Sequence, residues 1–366
     1  RQLFKALKVH GRPRDGGVVY AELRQLLEAL EVLGRPRDGG VAHAEHFQLL
    51  EARDRLGGRI HAAYVNGAAF DLGPAWFWQE QPRMAAATKR FGLTVFEQFS
   101  AGDIVAEGQN GNVRRGAGFA SMAGSLRIAG GMTALVNAFA TAVPADRLHL
   151  GKAVTEISQS KTGVIARTDR VSISANKIIL ALPPRVAQAI TFDPALPADQ
   201  CEAMGNVATW MAGHAKYLAT YDKAHWRDAG LSGDGQSRRG PMVEFHDASP
   251  QSGGPYAVFG FVGFDANTRA AHRDEMTQMA TDQLERLFGA KPRQLILQDW
   301  AQDTLTATPA DHISGGHPAY GRPPALTNIW DGRIILGSSE MGQSFGGFLE
   351  GALEAAQDVG NLLRQG

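Results

Sequence analysis

A chain of 366 residues with 44 % hydrophobic content holds enough apolar material for one large core or two ordinary ones, so two intertwined domains of enzyme size are expected. Lysine plus arginine and aspartate plus glutamate balance at 37 each, which leaves no electrostatic footprint for nucleic acid or an anionic membrane surface. The single cysteine, Cys201, excludes an intrachain disulfide, no apolar run reaches membrane-spanning length, and the start "RQLFKALKVHGRPRDGG" lacks the apolar core of a signal peptide; a soluble protein in a reducing, cytoplasmic setting is expected.

Along the chain, the first forty-odd residues stand apart. "GRPRDGGV" occurs at Gly11 to Val18 and again at Gly34 to Val41, separated by "VYAELRQLLEALEVLG", whose leucines recur at helical spacing. From His46 the pattern is regular. "HFQLLEA" predicts a short buried strand, "PRMAAATKRFG" a helix ending on Gly92, and "GGMTALVNAFATAV" a second helix entered from a glycine turn. In "GVIARTDRVSISANKIILALPP" Ile165, Val171 and Ile173 mark alternating strand positions, and "KIILAL" is a buried run stopped by a proline pair. "AKYLATYDKAHW" and "YAVFGFVGF" predict strands of a second region, followed by the helix "DEMTQMATDQLERLFG". "GRIILGSSEMGQSFGGFLEGALEAAQDVGNLL" predicts strand, glycine-rich turn and helix. Parallel-type buried strands mixed with long helices indicate an α/β fold with an added antiparallel part.

The stretch "LLEARDRLGGRI", Leu49 to Ile60, carries the sharpest chemical signal. A dinucleotide site of the Rossmann type places a carboxylate at the end of its second strand to accept both ribose hydroxyls, and Glu51 stands in that place. Gly57 and Gly58 then permit close backbone approach to a pyrophosphate, and Arg53 and Arg59 supply cationic forks. On residue types alone, an ordinary exposed turn explains the same stretch.

"LLEARDRLGGRI" resembles the ribose-and-pyrophosphate motif of the flavin-containing amine oxidases, the family of monoamine oxidases and bacterial amine oxidases. Further segments agree in order: "FDLGPAWFWQEQPRMAAATKRFGLTVFEQ", "RIAGGMTALVNAFA", "AVTEISQ" with "KIILALPP", "AGHAKYLATYDKAHWRDAGLSG", "DWAQD" and "IILGSSEMGQSFGGFLEGALEAA". The resemblance runs from about Phe47 to Leu363. It implies a two-domain α/β fold: a Rossmann-type FAD domain from residues 46–92, 122–205 and 325–366, an α+β substrate domain from 93–121 and 206–324, and an atypical N-terminal segment at 1–45. It makes Glu51 the ribose ligand, sets Arg53, Gly57, Gly58 and Arg59 near the pyrophosphate, and gives Val154 a backbone contact to adenine. Trp300 and Phe348 become walls of the isoalloxazine site, Glu340 a flavin-side carboxylate, and Lys216 the catalytic lysine holding a water against flavin N5. Taken alone, Lys216 reads as a solvated lysine of a half-exposed strand, Trp300 as core, and Glu340 as a helix-start carboxylate.

The implied reaction is oxidation of a C–N bond in a small-molecule amine or amino-acid-like substrate: hydride equivalents pass to the flavin, the imine hydrolyses, and oxygen is reduced to hydrogen peroxide. Three departures qualify it. The family's GxGxxG turn, about two dozen residues before the ribose glutamate, is replaced by "YAELRQLLEAL". A substitute can be drawn with "LFKALKV" as first strand, "GRPRDGG" as an enlarged loop carrying Arg12 and Arg14, and "VYAELRQLLEALEVL" as crossover helix. The tyrosine pair that sandwiches the amine in many members is replaced by Phe348 and a position near Ala310. The cysteine that tethers FAD in some members falls near Pro309, so the FAD is expected to be noncovalent. A non-catalytic protein that has lost FAD binding and a flavin desaturase acting on C–C bonds are the alternatives. No HExxH pair, Cys/His cluster, GxSxG elbow or phosphate-binding P-loop occurs, so metal, serine-hydrolase and P-loop chemistry are not expected. Trp76, Trp78, Trp210 and Trp226 read equally as cavity lining or core.

Overall fold

The computed structural model describes residues 18–20, 47–313 and 315–365. Its organising element is a five-stranded parallel sheet in the order Ile334–Leu336, Lys177–Leu180, Val18–Tyr20, Phe47–Leu50, Leu148–His149. Successive side chains on opposite faces, both covered, explain why Leu49–Leu50, Ile178–Leu180 and Ile334–Leu336 are continuous apolar runs. Leu49, Ile179 and Ile335 enter one core together with Met84, Leu135, Phe139 and Leu353, from the helices Pro82–Arg90, Thr133–Ala140 and Leu349–Gln365. Their neighbours Leu50, Ile178, Leu180 and Ile334 enter a second core on the opposite face. There they meet Ile157, Val164 and Ala166 from a four-stranded sheet ordered Ser172–Ala175, Val164–Arg167, Glu156–Gln159, Thr191–Asp193.

The central strand corrects the sequence reading. Val19 and Tyr20 were expected in the crossover helix, yet Val18–Tyr20 pairs in parallel with both Lys177–Leu180 and Phe47–Leu50. A β-branched pair followed by an aromatic residue suits a central strand, and pairing on both sides satisfies backbone groups that the neighbouring strands would otherwise leave open. The proposed first strand "LFKALKV", its loop and the rest of that helix lie outside the described residues. A smaller adjustment concerns Val164–Arg167, where Val164 and Ala166 are buried and Ile165 is only half-buried.

A seven-stranded sheet forms the second region, ordered Gln294–Asp299, Ala215–Tyr221, Tyr256–Val262, Met242–Asp247, Leu231–Ser237, Asp103–Glu107, Val113–Gly116. One face carries Tyr217, Ala219, Phe245 and Val258 against the helix Arg273–Phe288, which ends on Gly289 in the left-handed conformation. The other face carries Leu218, Ala257 and Phe259 against Phe70, Leu72 and Ala75. Packed on both sides, Ala215–Tyr221 is buried at every position. The short pair Val95–Glu97 with Leu126–Ile128 packs Val95 and Leu126 onto the first core. Among the described residues no helix is long and apolar enough to cross a membrane.

Candidate cofactor and substrate cleft

Two cavities adjoin at the carboxyl ends of the parallel strands, one of about 230 Å3 and one of about 200 Å3, and they share Glu51, Arg59 and Thr306 on their walls. Open α/β sheets place ligands in this position.

Glu51 follows Phe47–Leu50 directly. Its backbone amide donates to His149 O at 2.9 Å, and its Oε1 accepts the Arg53 amide at 2.8 Å. Burial pushes its carboxyl pKa up, against the lowering pull of Arg53. The chain then turns through Gly57 and Gly58, at φ +97° and +55°. A side chain on Gly57 would place its Cβ 2.5 Å from Ile60 O, so the turn needs glycine both for its conformation and for space. Val154 lies on the wall of the larger cavity with Lys152, Leu182 and Pro183.

The two arginines are engaged rather than free. The Arg53 guanidinium donates to both Asp303 oxygens at 3.1 Å and to Thr306 Oγ1 at 2.9 Å, while its buried Nε has no partner among the described residues. Arg59 makes a two-pronged pair with Glu340, 2.8 Å to Oε1 and 3.2 Å to Oε2, and donates to Ser339 Oγ at 3.0 Å. Glu340 is therefore a wholly buried counter-charge in the first turn of the short 3-10 helix Ser339–Met341.

The smaller cavity is walled by Trp300, Phe348, Trp76, Phe261 and Lys216. Trp300 is fixed by its amide donating to His214 O at 3.0 Å and its indole Nε1 donating to Leu72 O at 3.2 Å. Phe348 stacks on His317 at 5.0 Å and meets Trp78 edge-on at 6.1 Å. Trp76, Trp78 and Trp210 line the cavity, whereas Trp226 is core, its indole bound to Asp247 Oδ2.

Lys216 is only 4 % exposed, contrary to the solvated reading of its strand. Its Nζ donates to Gly73 O at 2.8 Å and Asp71 O at 3.2 Å, and lies 4.1 Å from the centre of the Phe259 ring. Burial lowers its pKa to about 7, with Asp71 pulling the other way. Burial raises Asp71 to about 6, opposed by Arg127, by the Met132 amide and by Lys216 itself. The two carbonyl acceptors match the two hydrogens of a neutral amine, so near neutrality Lys216 is divided between its charged and uncharged forms.

Asp71, Arg127 and His214 are site residues that sequence reasoning missed. His214 lines the cavity with a buried Nδ1 that has no partner among the described residues, and burial holds its imidazole pKa below the usual range. Only its place two residues before Lys216, on the same side of an extended chain, signals it beforehand.

These features suit a long, negatively charged dinucleotide: a buried carboxylate at the strand end, a glycine turn that a Cβ would fill, an orphaned Arg53 Nε on the wall, and an aromatic chamber beyond. The exposed thiol of Cys201, on the helix Ala198–Asn206, lines neither cavity. Among the described residues no group of three His, Cys, Asp or Glu side chains is placed to hold a metal.

The sequence matches a family model described as flavin containing amine oxidoreductase over residues 42–118 and 106–361. It is 29 % identical over 246 residues, 63 % of this chain and 50 % of the other, to a Mycobacterium tuberculosis protein that carries a flavin-containing monoamine oxidase name. It is 26 % identical over 223 residues, 58 % of this chain and 45 % of the other, to an L-amino acid dehydrogenase of Synechocystis. The chain spans about half the length of these curated relatives. Among solved structures, a putrescine oxidase bound to putrescine superposes with a TM-score of 0.78 at 18 % identity, covering 96 % of this chain and 100 % of that one. A cyclohexylamine oxidase of Brevibacterium oxydans gives a TM-score of 0.78 at 16 % identity, covering 96 % and 99 %. At these identities the likeness establishes the two-domain flavin amine oxidase fold.

Proposed function

The chain belongs to the flavin containing amine oxidoreductases, and from that premise we propose that it binds FAD noncovalently and oxidises the C–N bond of an amine or amino-acid-like substrate. The observation that carries this reading is the pair of adjoining cavities meeting at Glu51 and Arg59, with a buried lysine of lowered pKa in the aromatic one.

In this reading Glu51 receives the ribose hydroxyls, Val154 borders the adenine, and Gly57 and Gly58 admit the pyrophosphate with Arg53 and Arg59 beside it. Trp300 and Phe348 confine the ring and the substrate, and with Trp76 and Phe261 they exclude water and favour the uncharged amine. Glu340 fixes Arg59, and so holds the junction between the two cavities in shape. Lys216, anchored to two carbonyls and poised between charge states, can hold or pass a proton at the cavity wall near pH 7. When bound, FAD would supply the two-electron acceptor for the C–N bond, leaving an imine that water hydrolyses to a carbonyl compound and ammonia or an amine, with oxygen, in this proposal, as the final acceptor and hydrogen peroxide as its product. Cys201 is remote from both cavities, which supports noncovalent binding.

A second reading is a protein of this fold that no longer admits the dinucleotide. The sequence "YAELRQLLEAL" has no glycine where the family carries its GxGxxG motif, and this favours it, since those glycines are what lets the backbone approach the pyrophosphate. Visible absorption of the purified protein separates the two. Flavin bands, released into the supernatant on denaturation and bleached anaerobically by an amine, are expected. A colourless protein that stays colourless after soaking with FAD would overturn the proposal in favour of the second reading.

A further inference from the structure

Asp71 ends the strand Ala68–Asp71, is buried, and lines neither cavity. Its carbonyl and its carboxylate serve different partners. The carbonyl accepts Lys216 Nζ at 3.2 Å, and Oδ1 accepts the Met132 amide at 2.8 Å, at the entry to the helix Thr133–Ala140. That entry runs through Gly130 and Gly131, at φ +84° and +76°, and a side chain on Gly131 would bring its Cβ to 2.9 Å from Asp71 Oδ1. The turn is therefore shaped around the carboxylate. Satisfying one free amide of a helix start needs only a neutral acceptor; a carboxylate adds a charge.

That charge faces two cations. Arg127, also buried, donates to Ala248 O at 3.0 Å and Ser249 O at 2.9 Å, two carbonyls that leave its charge in place. An arginine keeps its proton in a protein. Burial drives the proton off Lys216, Asp71 draws it back, and Arg127 adds its repulsion to the effect of burial. With Lys216 uncharged, Asp71 and Arg127 balance one to one. A protonated Lys216 makes two buried cations, and the Asp71 carboxylate is the charge that makes this state attainable. From the seven-stranded sheet the Phe259 and Phe261 rings face the amine, their centres 4.1 and 5.6 Å from Nζ. Beyond them lie His246 and Glu244, paired across strands with those two residues, and His214 stands two positions before Lys216. The charges that move Lys216 are nevertheless those of Asp71 and Arg127.

We propose that Asp71 is a positioning residue for Lys216: its carbonyl holds the amine at the cavity wall, and its carboxylate, seated in the Gly130–Gly131 turn, supplies the charge that lets Lys216 take up a proton and give it back. The inference rests on the amine-oxidation reading only for the use made of that proton.

The test follows the Lys216 side-chain NMR signal against pH in the protein as purified, grown with isotope-labelled lysine; the signal is the one lost in Lys216→Met. Beside it runs the pH profile of anaerobic flavin reduction by a panel of primary amines and L-amino acids. In the wild type the midpoint lies at about 7. Asp71→Asn keeps the backbone carbonyl and an acceptor for the Met132 amide but removes the charge, so the midpoint falls by about one pH unit or more, a tenfold loss of proton affinity, and the reduction profile moves to lower pH with it. An unchanged midpoint in Asp71→Asn leaves the carboxylate a helix cap alone and overturns the proposal. A shifted midpoint in a protein that no amine reduces upholds Asp71 and overturns amine oxidation. Reduction by an amine with an unmoved midpoint does the reverse. Should Asp71→Asn fail to fold, the coupling is read from the other side, because the interaction between two titrating sites is mutual. The Asp71 carboxyl signal must then titrate at higher pH in Lys216→Met than in the wild type, since Lys216 lowers it, and an unmoved carboxyl overturns the proposal.

Discussion

Replacing Lys216 by methionine tests whether burial holds the amine near its neutral form. Burial takes its pKa from the ordinary 10.5 to about 7 against the pull of Asp71. In the unfolded chain the same lysine keeps its proton up to its ordinary value, so between about pH 7 and pH 10.5 the unfolded state binds one more proton than the folded state. Stability contributed by this group therefore rises with pH across that window, and below it the fold carries the whole cost of a buried ammonium. The slope is about 1.4 kcal/mol per pH unit, so the wild type should gain roughly 2–3 kcal/mol relative to the variant between pH 7 and pH 9. Methionine has similar bulk and does not titrate, and losing the bonds to Asp71 O and Gly73 O adds only a pH-independent offset. The assay is urea unfolding of flavin-loaded wild type and Lys216→Met at fixed flavin concentration, since bound ligand shifts apparent stability. Subtracting the two pH profiles cancels the shared groups other than Asp71, whose pKa Lys216 itself lowers, so the slope is read at the alkaline end of the window. Parallel profiles would mean that Lys216 stays charged in the fold, and would refute the two-carbonyl neutral amine.

Glu51→Ala removes the strand-end carboxylate and should weaken FAD binding roughly 10- to 100-fold, measured by equilibrium dialysis, because charge-assisted hydrogen bonds are worth about 1.5–3 kcal/mol. Arg59→Ala strands Glu340, which is wholly buried, and should cost about 3–5 kcal/mol in urea unfolding; Arg59→Ala with Glu340→Gln should recover part of it. Gly57→Ala forces a Cβ to within 2.5 Å of Ile60 O at a φ of +97° and should cost about 1–3 kcal/mol, with a matching fall in flavin retained through purification.

What could be read from sequence followed how local its cause was. Gly92 and Gly289 ended their helices as expected, because a left-handed residue after the last turn is a local requirement. Glu51, Gly57 and Gly58 come together on the cavity walls because strand end and turn lie within eight residues of one another. Lys216 was the reverse: its strand suggested solvent, and only likeness to a family marked it. The layer that buries it, residues 70–75, lies far away along the chain.

The arginines show the same limit, and it has a consequence for binding. Arg53 and Arg59 were expected as cationic forks near a pyrophosphate, and nothing in the sequence pointed to their carboxylate partners, Asp303 and Glu340, 250 and 281 residues away. Each guanidinium already faces a carboxylate, so the junction of the two cavities offers a pyrophosphate little net positive charge. Attraction there must come from directed donors, the Arg53 Nε and the backbone of the glycine turn, which act at contact range and are little affected by ionic strength. Raising salt from about 0.1 M to 1 M contracts the screening length from about 10 Å to 3 Å, which would strongly weaken a site relying on unpaired cations. FAD affinity, measured by fluorescence quenching across that range, should change less than about threefold. A loss of tenfold or more would show that Asp303 and Glu340 release their arginines to the phosphates, and would refute the clamp.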